Sequence, residues 1–154
     1  MNEFASHSVI APKLIDSLYL EAMVLADEAR SYFDRNGQDD RAALDPLGRV
    51  AFSCESLKVT TRLMHVVSWL LVRRAVEAGE LNAHQAQGRE RRLGDASTSD
   101  DSALKPLPER ARELVRASDD LYKRVQRLER ELEVGQQAIP SPARSLLDRL
   151  ERSL

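Results

Sequence analysis

Residues 46–78 read PLGRVAFSCESLKVTTRLMHVVSWLLVRRAVEA, and the fold turns on this stretch. Val50, Cys54, Leu57, Thr61, Met64, Ser68, Leu71, Ala75 and Ala78 succeed one another at alternating spacings of four and three, which places them on one stripe of an α-helix. Phe52, Val59, Leu63, Val66 and Leu70 form a second stripe, and Val67, Trp69 and Val72 add further apolar surface. Asp45-Pro46 is a strong start signal: the aspartate oxygen accepts from free backbone N–H groups, and proline in the first turn loses no helical bond. Gly79 supplies the stop. At about 1.5 Å per residue the helix is roughly 50 Å long. A helix apolar nearly all round must be surrounded.

Working outward, Ile15, Leu18, Ala22, Leu25, Ala29 and Tyr32 repeat the helical spacing and predict a helix over 12–35, with Pro12 in its first turn and Asn36-Gly37 at its end. Downstream, Asn82-Ala83-His84-Gln85 has the form of a capping box and predicts a short helix to about Arg92. Residues 94–102, GDASTSDDS, hold a single apolar side chain, Ala96, too little to offset the entropy of ordering, so 94–105 is expected to be a flexible linker. Pro106-Leu107-Pro108 launches a helix over 108–134 on Ala111, Leu114, Leu121, Val125, Leu128 and Leu132, with Ser118 in the one gap and Gly135 closing it. The tail carries Leu146, Leu147, Leu150 and Leu154 on a stripe that is marginal alone in water.

Three long amphipathic helices predict an all-α protein, an antiparallel three-helix bundle with short extra helices. The expected core is Leu18, Leu25, Leu57, Met64, Leu71, Leu114, Leu121 and Leu128, with Cys54 a small core residue. The 154 residues fit one domain, with a mobile N-terminus at 1–10 and a mobile tail at 136–154. Two neighbours cover two faces of the second helix, so Val59, Leu63, Val66, Trp69 and Leu70 are expected to meet a second copy or another partner. Glu55, Thr61 and Arg62 punctuate the apolar pattern and predict a polar network or part of a partner surface.

The composition is 42% hydrophobic and 31% charged with a net charge of −2, which supplies a core and a charged coat but no global attraction to nucleic acid. The longest apolar cluster, Val66 to Val72, is broken by Ser68 and falls short of the roughly 20 residues that span a bilayer. The N-terminus lacks the basic and apolar segments of a secretion signal, and one cysteine fits a reducing compartment. A soluble cytoplasmic protein without membrane contact is expected.

His7, His65 and His84 stand apart from one another and from Cys54, so no metal site is expected. The six glycines are scattered singly, which removes a phosphate cradle, and no strained turn is available to seat a nucleophile. No catalytic residue and no cofactor are therefore assigned. Arg73, Arg74, Arg89 and Arg92 make a local basic patch, the basis of an alternative reading as a nucleic-acid-associated helical regulator. The aromatics that accompany single-strand binding are missing from it.

Residues 55–76, ESLKVTTRLMHVVSWLLVRRAV, continue into EAGELNAHQAQ. With TTRLM at 60–64, SWLL at 68–71, AGELN at 78–82, Leu107-Pro108 and LYKRVQRLE at 121–129, the chain resembles the RcdA family, alphaproteobacterial regulators of CtrA degradation. The resemblance covers roughly 12–134. It implies a dimeric three-helix bundle that acts as an adaptor for the ClpXP protease, joining protease primed by a response regulator to cargo proteins that control cell-cycle progression. The family carries no catalytic motif to transfer, so the residues named above stand as interface candidates.

Overall fold

The computed structural model describes residues 3–86, 88, 92–138 and 142–153. Its elements are α1 (Glu3–Ser31), a π-helical turn (Tyr32–Asn36), α2 (Gln38–Ala42), α3 (Pro46–Glu77), α4 (Ala83–Ala86), α5 (Asp101–Leu104), α6 (Glu109–Ala138) and α7 (Pro142–Arg152), with no strand among the described residues. α1, α3 and α6 form the expected three-helix bundle.

The start of α3 is set as its sequence demands. Asp45 Oδ1 accepts from the Gly48 N–H at 2.7 Å while Pro46 occupies the first turn. The helix stops at Gly79, whose φ of 77° lies where only glycine is unstrained. α1 departs from expectation, beginning at Glu3 and continuing through Pro12. Proline removes one backbone donor, so a single rung is lost rather than the helix. α6 likewise runs through Gly135 to Ala138, since one interior glycine costs about 1 kcal/mol against alanine and does not by itself end a helix. The termini expected to be mobile contain α1 from Glu3 and α7; residues 1–2, 139–141 and 154 lie outside the described set.

α1 is antiparallel to both neighbours. Asp16 pairs with Arg74 and Phe33 packs on Phe52 in α3, while Glu21 meets Arg124 and Glu28 meets Arg110 in α6. α3 and α6, by contrast, run in the same direction: Arg62 contacts Ser118 and Asp119, and Arg73 faces Glu129 and Glu133. Parallel neighbours of this length need a connection that travels back along the whole bundle. Residues 78–108 are that connection.

The core takes Ile15, Leu18, Ala22, Leu25, Ala29 and Tyr32 from α1 and its π-turn, and Ala111, Leu114, Val115, Leu121, Tyr122 and Val125 from α6. From α3 it takes Phe52, Val59, Leu63, Val66, Trp69 and Leu70. This corrects the sequence reading in two places. Leu57, Met64 and Leu71, expected inside, face solvent, and so does Cys54. Val59, Leu63, Val66, Trp69 and Leu70, expected to face a partner, are buried inside the single chain. The stripe holding Phe52 and Trp69 removes more apolar area from water than one that alternates with Cys54, Thr61, Ser68 and Ala75, and burial scales with that area. Phe52 closes one end of the core against Tyr32 and Phe33, with ring centroids 6.1 and 5.2 Å away.

Candidate functional site

The uncovered surface of α3 is a regular helical seam. Val50, Leu57, Met64 and Leu71 recur every seven residues, at 59%, 69%, 60% and 47% exposure. Cys54, Thr61, Ser68 and Ala75 lie between them, so large apolar side chains alternate with small ones. The hydroxyl of Thr61 donates to the Leu57 carbonyl oxygen at 2.9 Å, which removes its need for water. No position of the seam is charged. Such a surface admits close approach of a second helix, because the small residues leave holes for incoming knobs.

Beside the seam, α1 and α3 diverge to leave a groove of about 580 Å³ lined by Met23, Ala26, Phe33, Thr60, Met64 and Val67 among others. The two methionines, partly exposed, give it an adaptable thioether lining.

On the opposite side of α3 the polar residues form one buried network. Arg62, with no exposed surface, donates from Nε and Nη2 to the Ser97 carbonyl oxygen at 3.0 and 2.7 Å, from Nη2 to Ser99 Oγ at 2.6 Å and from Nη1 to Ser118 Oγ at 3.2 Å. The Ser99 hydroxyl in turn donates a hydrogen bond to Glu55 Oε2 at 2.5 Å, and Glu55 Oε1 also accepts from Lys58 Nζ at 3.0 Å. Burial pulls the Arg62 pKa down, and the charges of Asp119 and Glu55 oppose that pull. Thr61 does not join the network; it belongs to the seam.

This network explains a further correction. The segment from Gly94 to Asp100, expected to be a flexible linker, is an extended strap held across α3 and α6. Besides Arg62, Tyr122 donates its hydroxyl to the Gly94 carbonyl at 2.7 Å, Glu129 accepts from the Leu93 N–H at 2.8 Å, and Leu104 and Leu107 anchor the following turn in the core. Composition alone suggested disorder because the strap is held largely through its backbone carbonyls, Ser97 by a buried cation and Gly94 by a tyrosine hydroxyl, rather than by its own apolar groups. Gly94 lies against the His65 imidazole so closely that a Cβ there would overlap the ring. Gly94→Ala is therefore expected to lower stability by about 1–3 kcal/mol, as overpacking does. Adding His65→Ala should recover most of that loss in a double-mutant cycle read by urea unfolding; additive losses would mean that the contact is not what constrains residue 94.

The three described arginines of the basic patch, Arg73, Arg74 and Arg92, do not form a free cationic surface. Arg73 is buried over the Trp69 ring, 5.1 Å from its centroid, where burial lowers its pKa while Glu129 and Glu133 raise it. Arg74 pairs with Asp16 at 3.3 Å and stacks on Tyr19, and Arg92 pairs with Glu133 at 3.2 Å. Arg89 lies outside the described residues. Sequence proximity grouped residues that helical geometry points in different directions.

A family model described as "Protein of unknown function (DUF1465)" matches residues 6–154. The crystal structure of RcdA from Caulobacter crescentus CB15 superposes with a TM-score of 0.64 at 34% sequence identity, covering 77% of this chain and 89% of that one. The chain belongs to the RcdA family. No curated protein matches it.

The segments that carry the RcdA-family resemblance have distinct physical jobs here. TTRLM and SWLL each cross from seam to core: Thr61, Met64, Ser68 and Leu71 look outward, while Arg62, Leu63, Trp69 and Leu70 are buried. AGELN ends α3 at Gly79 and opens α4, where the Asn82 side chain accepts from the Gln85 N–H at 2.7 Å and the Gln85 side chain accepts from the Asn82 N–H at 3.0 Å. Leu107 plugs the core where the strap turns into α6. No described helix is long and apolar enough to cross a membrane.

Proposed function

We propose that this protein is a non-catalytic cytoplasmic adaptor of the RcdA type, working as a homodimer and delivering cargo proteins of the cell cycle to the ClpXP protease primed by a response regulator. The observation that carries the reading is the uncovered, uncharged seam of α3, a surface built for another helix rather than for chemistry on a small molecule. The family resemblance supplies the partners. An adaptor acts by raising the local concentration of cargo at the protease, so weak contacts made together suffice.

A second copy fits the seam in one register. If two α3 helices cross antiparallel about a two-fold axis between Arg62 and Leu63, Val50 meets Ala75, Leu57 meets Ser68, Met64 meets Thr61 and Leu71 meets Cys54. Every large side chain then faces a small one, as an isologous interface requires. Leu57→Glu is expected to leave the helical content unchanged and to produce monomers in sedimentation, because a carboxylate at the centre of an apolar interface has no partner. A wild-type chain that sediments as a monomer at micromolar concentration refutes the dimer. The adaptor role is tested by titrating the protein into a reconstituted reaction of ClpXP, its priming response regulator and candidate cargo. Cargo half-life should pass through a minimum as adaptor increases, since excess adaptor binds cargo and protease separately. Half-lives that never respond refute the delivery role.

A further inference from the structure

α6 carries seven cations and seven carboxylates, and the helix sorts them by face. At about 100° per residue, Arg112, Arg116, Lys123, Arg127 and Arg130 fall within a sector of about 60° that points directly away from Leu114, Ser118, Leu121 and Val125 in the core. Arg112 is half-buried and the other four are exposed. They form a single row about 27 Å long, in which Glu109, in the first turn, is the one carboxylate. The chain does not balance this row from within. Asp119 takes Lys123 at 2.8 Å, but Arg112, Arg116, Arg127 and Arg130 have no ion-pair partner among the described residues. Of the carboxylates alongside, Glu113 pairs with Arg110 at 3.2 Å and Asp120 with Arg124 at 3.0 Å, while Glu131 pairs with no described cation. Arg112 with Arg116 and Lys123 with Arg127 are like charges four residues apart, and Arg127 with Arg130 three apart, spacings at which like charges weaken a helix. α6 thus holds a repulsion that carboxylates from outside would relieve.

We propose that this row is a docking surface for a partner protein that presents a helix with carboxylates along one face. Such a helix laid against α6 meets the cations turn by turn, and each guanidinium can take a carboxylate through two parallel hydrogen bonds. Nucleic acid fits the row less well. A duplex presents phosphates on both sides of a groove, and its second row would meet Glu113, Asp120 and Glu131, which border the cations on one side. A single strand calls for exposed aromatic platforms, and the one aromatic residue of α6, Tyr122, is buried in the core. The seam of α3 and the row of α6 each face away from the shared core on a different helix, so the row stays open when the seam is occupied. This inference is independent of the adaptor reading.

The test titrates the full chain into two labelled helical peptides of alanine, glutamine and glutamate, each of about 22 residues and the same composition, and reads fluorescence anisotropy. One peptide has its glutamates on a single face, at every third and fourth position; the other spreads them around the helix. The patterned peptide should bind about tenfold tighter at about 0.1 M salt, and the preference should vanish at about 1 M, where the Debye length is about 3 Å. Arg116→Gln, Arg127→Gln and Arg130→Gln together should weaken the patterned peptide about tenfold. The same triple variant should leave the thermal midpoint of the free chain unchanged or raise it, because it removes repulsion rather than a contact. Equal binding of the two peptides, an unchanged affinity in the variant, a lowered midpoint, or tighter binding of a DNA duplex of about 20 base pairs than of the patterned peptide each overturns the proposal, the last assigning the row to nucleic acid.

Discussion

Arg62→Met should destabilise the fold by about 3–5 kcal/mol, the range for removing one member of a buried charged network. The side chain is fully buried and satisfies the Ser97 carbonyl, Ser99 and Ser118, and it is a counter-charge to Asp119 at 3.8 Å and to Glu55. Methionine fills much of the volume but leaves those acceptors without a donor, and the cost of a stranded buried acceptor exceeds the net gain from making the bond. Lysine should rescue little, because one ammonium cannot supply the fork that takes Ser97 with two N–H groups. The loss should appear in urea unfolding together with new protease cleavage in 94–102. A loss below about 1 kcal/mol with the strap still protected would falsify the view that Arg62 holds the crossover.

Leu70→Ala and Leu71→Ala should differ sharply although the residues are adjacent. Leu70 has no exposed surface, and truncating it should cost about 2–5 kcal/mol, from lost transfer energy and the cavity left behind. Leu71 is 47% exposed on the seam, and its truncation in the isolated chain should change stability by no more than about 0.5 kcal/mol. Thermal or urea unfolding at dilute protein concentration reads both. Equal losses would place residue 71 in the core after all. Leu63→Glu belongs with Leu70→Ala: at 4% exposure the carboxylate enters the core and should unfold the chain, not dissociate a dimer.

That contrast marks how far the residues alone could be read. The length of α3, its start at Asp45-Pro46, its stop at Gly79 and the inward stripes of α1 and α6 follow from local chemistry, so they were legible. Which stripe of α3 turns inward was not. Both stripes have helical period, and the choice depends on the summed area of Phe52, Trp69 and their neighbours against partners whose positions periodicity does not give. A cue lay in the alternation of Cys54, Thr61, Ser68 and Ala75 with the large residues, a knobs-and-holes pattern suited to another helix. The polar network was visible as Glu55 and Arg62, but their partner at Ser99 is far away in sequence. The strap was misread for the same reason, since composition cannot report a carbonyl captured by a distant guanidinium. The basic patch failed because Arg73 and Arg74, adjacent in sequence, point about 100° apart around a helix.

The parallel alignment of α3 and α6 also orders the assembly of the molecule. α1 and α3 are joined by a short connection and zip antiparallel from the Phe33–Phe52 end, a local hairpin with little loop entropy to overcome. α6 cannot join them until residues 78–108 have doubled back the length of the bundle, a closure that forgoes conformational freedom before Ser118 and Tyr122 gain their partners. The transition state is then richest in α1 and α3, and the last structure gained is the first released. In native-state hydrogen exchange the amides of α6 and the strap should therefore open as one cooperative unit below the global unfolding free energy, with α1 and α3 still closed.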